Sequence, residues 1–254
     1  MIRLFKCLWW SFVALFCGLL LSLSGAYLYL SPSLPSVESL RSVKLQMPLK
    51  VFSSDRNLIA EFGEMRRAPS KFSDIPQDFI NALLAAEDDN FANHNGVDIT
   101  SLVRAGSELL KTGHIQTGGS TITMQVAKNF FLTSERSFSR KINEILLALQ
   151  IERELSKDEI LELYVNKIYL GNRAYGIEAA AQVYYGKSIR DTSLSQMAMI
   201  AGLPKAPSRF NPLANAPRSK ERRDWILGRM YKLGRIDQKR YEEAISEPID
   251  ASYH

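Results

Sequence analysis

The chain has 254 residues, 46% of them hydrophobic and 23% charged, with 32 basic against 27 acidic side chains and a formal charge of +5. This apolar mass excludes an intrinsically disordered chain, which cannot bury enough surface to offset its conformational entropy. Two cysteines exclude a disulfide-stapled scaffold. The averages conceal an asymmetry, because no charged residue occurs from Cys7 to Val37.

Leu8 to Leu30 is mainly Leu, Phe, Trp, Ala and Tyr. As a helix it would reach roughly 35 Å, against about 30 Å of bilayer hydrocarbon. Arg3, Lys6 and the amino terminus precede it, so residues 1–7 are expected in the cytoplasm and everything after Leu30 across the membrane. A cleaved signal peptide has a shorter apolar core, about 7–15 residues. Although Ser24-Gly25-Ala26 offers a cleavage-like site, the length favours an uncleaved anchor over residues 8–30. Cys7 and Cys17 lie in or beside this segment and leave the exported part without cysteine.

Residues 31–73 read as a linker and a small hairpin. Pro32 and Pro35 stiffen the exit from the membrane. Leu49 to Phe52 and Leu58 to Phe62 flank Ser53-Ser54-Asp55-Arg56-Asn57, two short strands around a turn. From residue 74 helical signals dominate, and residues 74–245 are expected to form one mainly α domain. Asp74 is expected to cap a helix with Pro76 in its first turn and Phe79, Ile80, Leu83 and Leu84 on its apolar face. A second helix is expected from Asp98 to Thr112, stopped by Gly113. Ile142 to Leu155 carries Ile145, Leu146, Leu149 and Ile151 at helical spacing. Ser156-Lys157-Asp158-Glu159 and Ser193-Leu194-Ser195-Gln196 both fit the capping box. The tail from Arg218 to Ala244 reads as basic helices broken near Gly234, with a face in solvent or near anionic lipid.

Three clusters could carry chemistry. Glu87-Asp88-Asp89 opens the run to Gly96 at the end of the Pro76 helix. Carboxylates there meet the negative end of the helix dipole, a local rule broken with no compensation visible in the sequence. Like charges crowded in a cleft suit a general acid or base, whereas the plain alternative is solvated charge before an Asn95-Gly96 turn. In the second cluster, Gly118-Gly119-Ser120-Thr121 precedes a helix and leaves backbone N–H groups open to an anion. Lys128, Arg136, Arg140 and Lys141 follow, with Glu135 the only acid between residues 128 and 141. This is phosphate-site chemistry without the Gly-Lys-Ser/Thr end of a P-loop; a capped helix beside a solvated basic face is the plain alternative. Third, Glu144 lies four residues after Arg140 and could simply pair with it. It could equally steer a divalent cation such as Mg²⁺ or position the basic side chains. Glu87 with Glu144 would form a carboxylate pair of the kind used at a sugar's anomeric carbon.

Other signals are weak. His94, His114 and His254 lack metal-ligand spacing. Lys111-Thr112-Gly113 matches one motif of β-lactam enzymes, yet no Ser-x-x-Lys or Ser-Asp-Asn accompanies it. The basic tail could contact nucleic acid, but an exported domain meets none routinely, so no nucleic-acid partner is expected.

With these residues assembled, the sequence resembles glycosyltransferase family 51, the peptidoglycan glycosyltransferase domain, and most closely the N-terminal part of class A, 1a-type penicillin-binding proteins. Five blocks match in order. They are Glu87-Asp88 with Phe91, His94 and Gly96; Gly119-Ser120-Thr121 with Thr123, Gln125, Lys128 and Asn129; Arg140-Lys141 with Glu144; Lys157 through Ile160-Leu161-Glu162 to Tyr164 and Asn166; and Tyr175-Gly176-Ile177 with Ala179-Ala180 and Gly186-Lys187. Met124 departs from the pattern, standing where many members carry a second Gln; the expected effect is on packing.

The resemblance implies a lysozyme-like helical glycosyltransferase domain with a small membrane-proximal lobe between the two carboxylates. It implies lipid II and the growing glycan strand as substrates. The acceptor's 4-hydroxyl would attack the anomeric carbon, the bond would invert from α to β, and undecaprenyl pyrophosphate would leave. Carried over residue by residue, Glu87 is the general base, Asp88 and His94 support the same motif, and both are counted with Phe91 among the substrate-binding residues. Glu144 is the second essential carboxylate, near the pyrophosphate. Gly119, Ser120, Thr121, Gln125, Lys128, Asn129, Arg136, Arg140 and Lys141 would hold pyrophosphate and sugars. No tightly bound cofactor is expected, and a divalent cation such as Mg²⁺ could sit at Glu144. Implied partners are the lipid bilayer, other cell-wall synthesis proteins and a moenomycin-type inhibitor. The implied location is the bacterial inner membrane, single-pass, with a cytoplasmic N-terminus and a periplasmic catalytic domain. A lysozyme-like lytic enzyme is one alternative, disfavoured by the cationic cluster, and a catalytically silent assembly module is another. Residues 246–254 read as the start of a linker, as expected of a bifunctional chain cut before its transpeptidase.

Overall fold

The computed structural model describes residues 2–30, 34–42, 49–55, 58–62, 66–112, 119–132 and 138–254. Helix α1 (Ile2–Leu30) is, among the described residues, the one helix long and apolar enough to cross a membrane, with a mean hydropathy of 1.7 over Phe5–Ser22. After it, a 3₁₀ turn at Val37–Ser42 buries Val37 and Leu40. Strands β1 (Leu49–Phe52) and β2 (Leu58–Phe62) pair antiparallel, with Leu49 opposite Phe62 and Val51 opposite Ala60. This is the expected hairpin, although residues 56 and 57 of its tip lie outside the described residues. Strand β3 (Arg66–Arg67) pairs parallel with β4 (Ala174–Tyr175).

The remainder is helical. Helix α2 (Gln77–Glu87) starts later than expected, with Pro76 rather than Asp74 at its N-cap. A 3₁₀ turn over Phe72–Asp74 comes first, and Asp74 instead pairs with Arg190 at 2.6 Å. Phe79, Ile80 and Leu83 are buried as the pattern required, while Leu84 packs at the edge of the core. Helix α3 (Ile99–Thr112) is capped by Asp98, whose carboxylate accepts from the Thr100 N–H at 3.0 Å and its hydroxyl at 2.6 Å. Its expected stop, Gly113, lies outside the described residues. Ile99, Val103 and Leu110 of α3 remain exposed, at 71%, 66% and 90%, so this helix carries an apolar stripe that is not covered among the described residues.

Helix α4 (Ile122–Phe131) packs against α5 (Phe138–Glu154) and α6 (Lys157–Lys167). The buried side of α5 runs through Glu144, Leu147, Ala148 and Ile151, whereas Leu149 is exposed. The expected stripe was therefore rotated: at 3.6 residues per turn, Leu149 falls outside the face that Glu144 and Ile151 share. Both capping boxes form, at Ser156 with Glu159 and at Ser193 with Gln196. Helices α7 (Ile177–Tyr185), α8 (Leu194–Ala201), α9 (Ala216–Lys232) and α10 (Gln238–Ser246) complete the domain. The break between α9 and α10 includes Gly234 at φ +67°. The expectation of a solvated basic tail fails at two residues, since Arg222 is 7% and Arg223 0% exposed. They belong to the stripe that α9 buries with Ile226, Leu227 and Met230. Arg223 donates to the Ser195 hydroxyl at 2.9 Å and the Glu247 carbonyl at 2.6 Å, tying α8 to the segment after α10.

Candidate active site

The three carboxylates at the end of α2 are compensated one by one, by partners from elsewhere in the chain. Asp88 is buried and accepts from His94 Nε2 at 3.0 Å and from the Ile122 N–H at 3.0 Å. The Gly96 N–H donates to His94 Nδ1 at 3.1 Å, so the ring's proton sits on Nε2, facing Asp88. Asp89 pairs with Arg229 of α9. Glu87 accepts from Gln125 Nε2 at 3.0 Å and lies 3.7 Å from Arg222. The unfavourable dipole end is thus offset by hydrogen bonds and cations that no local pattern displays.

The same contacts correct the expected anion cradle at α4. Its first amides are not open: Ile122 donates to Asp88, and Met124 donates to the Thr121 hydroxyl at 3.1 Å. The anion at this helix N-terminus is the protein's own Asp88. The Thr121 hydroxyl in turn donates to the Gly96 carbonyl at 2.6 Å. Gly118 and Arg136 lie outside the described residues. Gly119 lets α3 approach, because a Cβ there would stand 3.1 Å from Leu102.

Two cavities meet at Glu87. Glu87, Ser120, Gln125 and Lys205 border both of them. The first continues along Asp88, Gly119, Thr121, Arg222, Trp225 and Arg229. The second is walled by Met124, Lys128, Arg140, Lys141 and Glu144. Burial pushes the Glu87 carboxyl above its ordinary value, opposed by the Gln125 hydrogen bond and the charges of Arg222 and Lys205. Burial pushes the Lys205 ammonium down, with Arg222 adding to the effect. A carboxyl shifted upward and open to two cavities is suited to take a proton from a group bound there.

Glu144 projects from the core side of α5, with its side chain 4% exposed, and faces Lys141 at 2.9 Å and Arg140 at 3.4 Å. Lys141 also donates to the Ser120 hydroxyl at 2.8 Å, so Glu144 sets the position of a cation on the cavity wall. Among the described residues no three His, Cys, Asp or Glu side chains stand together as metal ligands. One carboxylate hemmed in by two cations is a poor donor set for a divalent ion. The geometry matches the other use considered for Glu144, positioning the basic side chains.

Phe91, His94 and Asn129 border neither cavity. Phe91 packs edge-on to His94, and Lys157 sits 4.3 Å above the Phe91 ring while donating to the His94 carbonyl, so these residues brace the Asp88 segment. Arg222, Lys205 and Trp225 were missed from the sequence, and Tyr164 was noted only within a matching block, with no role at the site. For Arg222 a signal existed, since it shares the helical spacing of Ile226 and Met230 and so belongs to the buried stripe. Lys205, in the loop after α8, offered none.

A family model described as Transglycosylase matches residues 55–231. Penicillin-binding protein 1A of Pseudomonas aeruginosa is 78% identical over 252 residues, which are 99% of this chain and 31% of that protein. Its namesake in Escherichia coli is 51% identical over 233 residues, 92% of this chain and 27% of that protein. The chain therefore spans less than a third of the length of these relatives. The crystal structure of penicillin-binding protein 1A from Haemophilus influenzae matches with 37% identity and a TM-score of 0.49, covering 84% of this chain and 22% of that one.

Proposed function

The chain belongs to the transglycosylase family, and on that premise we propose that it is a peptidoglycan glycosyltransferase that polymerises lipid II into β-1,4-linked glycan. The observation that carries this is the position of Glu87: a carboxyl raised by burial, on the border of two cavities, one of them walled by Lys128, Arg140 and Lys141. The acceptor sugar enters from the first cavity and its 4-hydroxyl gives its proton to Glu87. The oxygen bonds to the donor's anomeric carbon as the bond to pyrophosphate breaks, which inverts α to β. Negative charge grows on the leaving pyrophosphate in the second cavity, where the fixed cations stabilise it in the transition state. Glu144 holds Lys141 and Arg140 for that task and offsets part of their charge, so the wall stays cationic. No protein-bound cofactor is part of the proposal.

The apolar helix α1 and the uncovered stripe Ile99, Val103 and Leu110 support a catalytic domain held against a bilayer, as a substrate with a lipid tail requires. We place the N-terminus in the cytoplasm and the domain in the periplasm. The carboxylate and cation pair would also accept a phosphoglycolipid inhibitor of the moenomycin type, and other cell-wall synthesis proteins are the expected company. Penicillin acylation, which the relatives' name denotes, is not ascribed to these residues. The test is incubation of the purified chain with lipid II: glycan strands that lengthen with time support transfer. Shortening of preformed glycan without lengthening would favour the lytic alternative.

A further inference from the structure

Gln125 does not hold Glu87 unaided. Behind it stands Tyr164 of α6, fully buried, whose hydroxyl donates to Gln125 Oε1 at 3.2 Å. A carboxamide has a carbonyl at one end and N–H donors at the other. A donor fixed on Oε1 therefore turns the Nε2 end toward Glu87, where it donates to Oε2 at 3.0 Å. The other carboxylate oxygen, Oε1, is the one nearest Arg222.

We propose that Tyr164 is a positioning residue for the transfer reaction, orienting the base Glu87 through Gln125 so that an N–H, and never a carbonyl, faces the carboxylate. The proposal rests on the assignment of Glu87 as the base. Burial, with the charges of Glu87 and Asp88, pushes the Tyr164 phenol well above its ordinary value, so it keeps its proton throughout the working range. Without the hydroxyl, Gln125 can turn over and present its carbonyl to Glu87, an arrangement a carboxylate tolerates only when protonated. The base becomes harder to ionise. The other groups facing Glu87 are unchanged by that substitution: Asp88 beside it, Arg222 from α9 and Lys205 after α8, with Lys128, Arg140, Lys141 and Glu144 across the second cavity.

The experiment compares the wild-type chain with Tyr164→Phe, Gln125→Met and the double variant, following lipid II polymerisation across pH. Tyr164→Phe should lower kcat about tenfold while KM for lipid II stays within about twofold. The acid limb of its pH–rate profile should move to higher pH. In the Gln125→Met background the same substitution should change kcat less than about twofold, because nothing remains for the hydroxyl to orient. A packing role alone would lower the melting temperature and leave the acid limb where it was, which would overturn the proposal. An equal loss in both backgrounds would overturn it as well. Glu87→Gln, run in parallel, separates the two levels: activity in that variant strikes the base assignment itself. An inactive Glu87→Gln beside an unaltered Tyr164→Phe removes only the role of Tyr164.

Discussion

Replacing Arg222 by Met removes the nearest cation to Glu87 while keeping most of the side chain's length. The two groups lie 3.7 Å apart, with side-chain exposures of 7% and 12%. At that distance their attraction is about 1 kcal/mol in water and about 4.5 kcal/mol at an effective dielectric near 20. Losing it leaves burial less opposed, so the Glu87 carboxyl rises further above its ordinary value. A base with a higher pKa is protonated over more of the acid range, so the acid limb of kcat/KM for lipid II polymerisation moves to higher pH. Stability should not suffer in proportion. Arg222 Nε is buried without a hydrogen-bond partner, a defect worth about 1–3 kcal/mol that Met abolishes. The assay is polymerisation rate against pH, with thermal unfolding of the same samples. An acid limb at its wild-type position would refute the electrostatic role, whatever happens to the plateau.

The remaining predictions concern the frame around the site. Gly96 has φ +92°, and a Cβ there would stand 2.7 Å from the Ala148 carbonyl oxygen, so Gly96→Ala should lower stability by about 2 kcal/mol or more through strain and overlap. Gly228, inside α9 with open space around its Cβ position, gives the opposite sign: Gly228→Ala should add about 0.5–1 kcal/mol. Thermal unfolding of the two variants side by side checks both. Burial acts to raise the Asp98 carboxyl, but hydrogen bonds from Ser101 and Thr100 outweigh it and hold the group at about 2. A carboxylate depressed in the folded state stabilises the fold above its unfolded value, near 3.9, and loses that contribution as pH falls through the folded value. The stability gap between wild type and Asp98→Asn should therefore be full at pH 6 and close between about pH 4 and pH 2.

What could be read from the sequence was whatever depends on neighbours in the chain. The hairpin at Leu49–Phe52 and Leu58–Phe62, both capping boxes and the apolar α1 all stand where the patterns put them. Misplacements arose where two local rules competed. Pro76 took the N-cap of α2 in place of Asp74, and the turn of α5 that buries Glu144 leaves Leu149 outside. The site itself was legible only as a set of separate segments. Glu87, Glu144 and the cations could be singled out for their chemistry, but their partners depend on tertiary packing. Gln125 reaches Glu87 from α4, held in turn by Tyr164 of α6, and Arg222 reaches it from α9. The amides that looked open to a substrate anion are occupied by Asp88, a contact between segments that no spacing rule encodes.

The central claim is that Glu87 takes the proton of the attacking hydroxyl. The most direct measurement is lipid II polymerisation by Glu87→Gln, since Gln preserves the shape and the neighbours of the carboxylate but cannot accept that proton. Loss of at least about a hundredfold in rate, with the wild-type melting temperature retained, is the predicted result. Polymerisation near the wild-type rate by a folded Glu87→Gln chain would contradict the account.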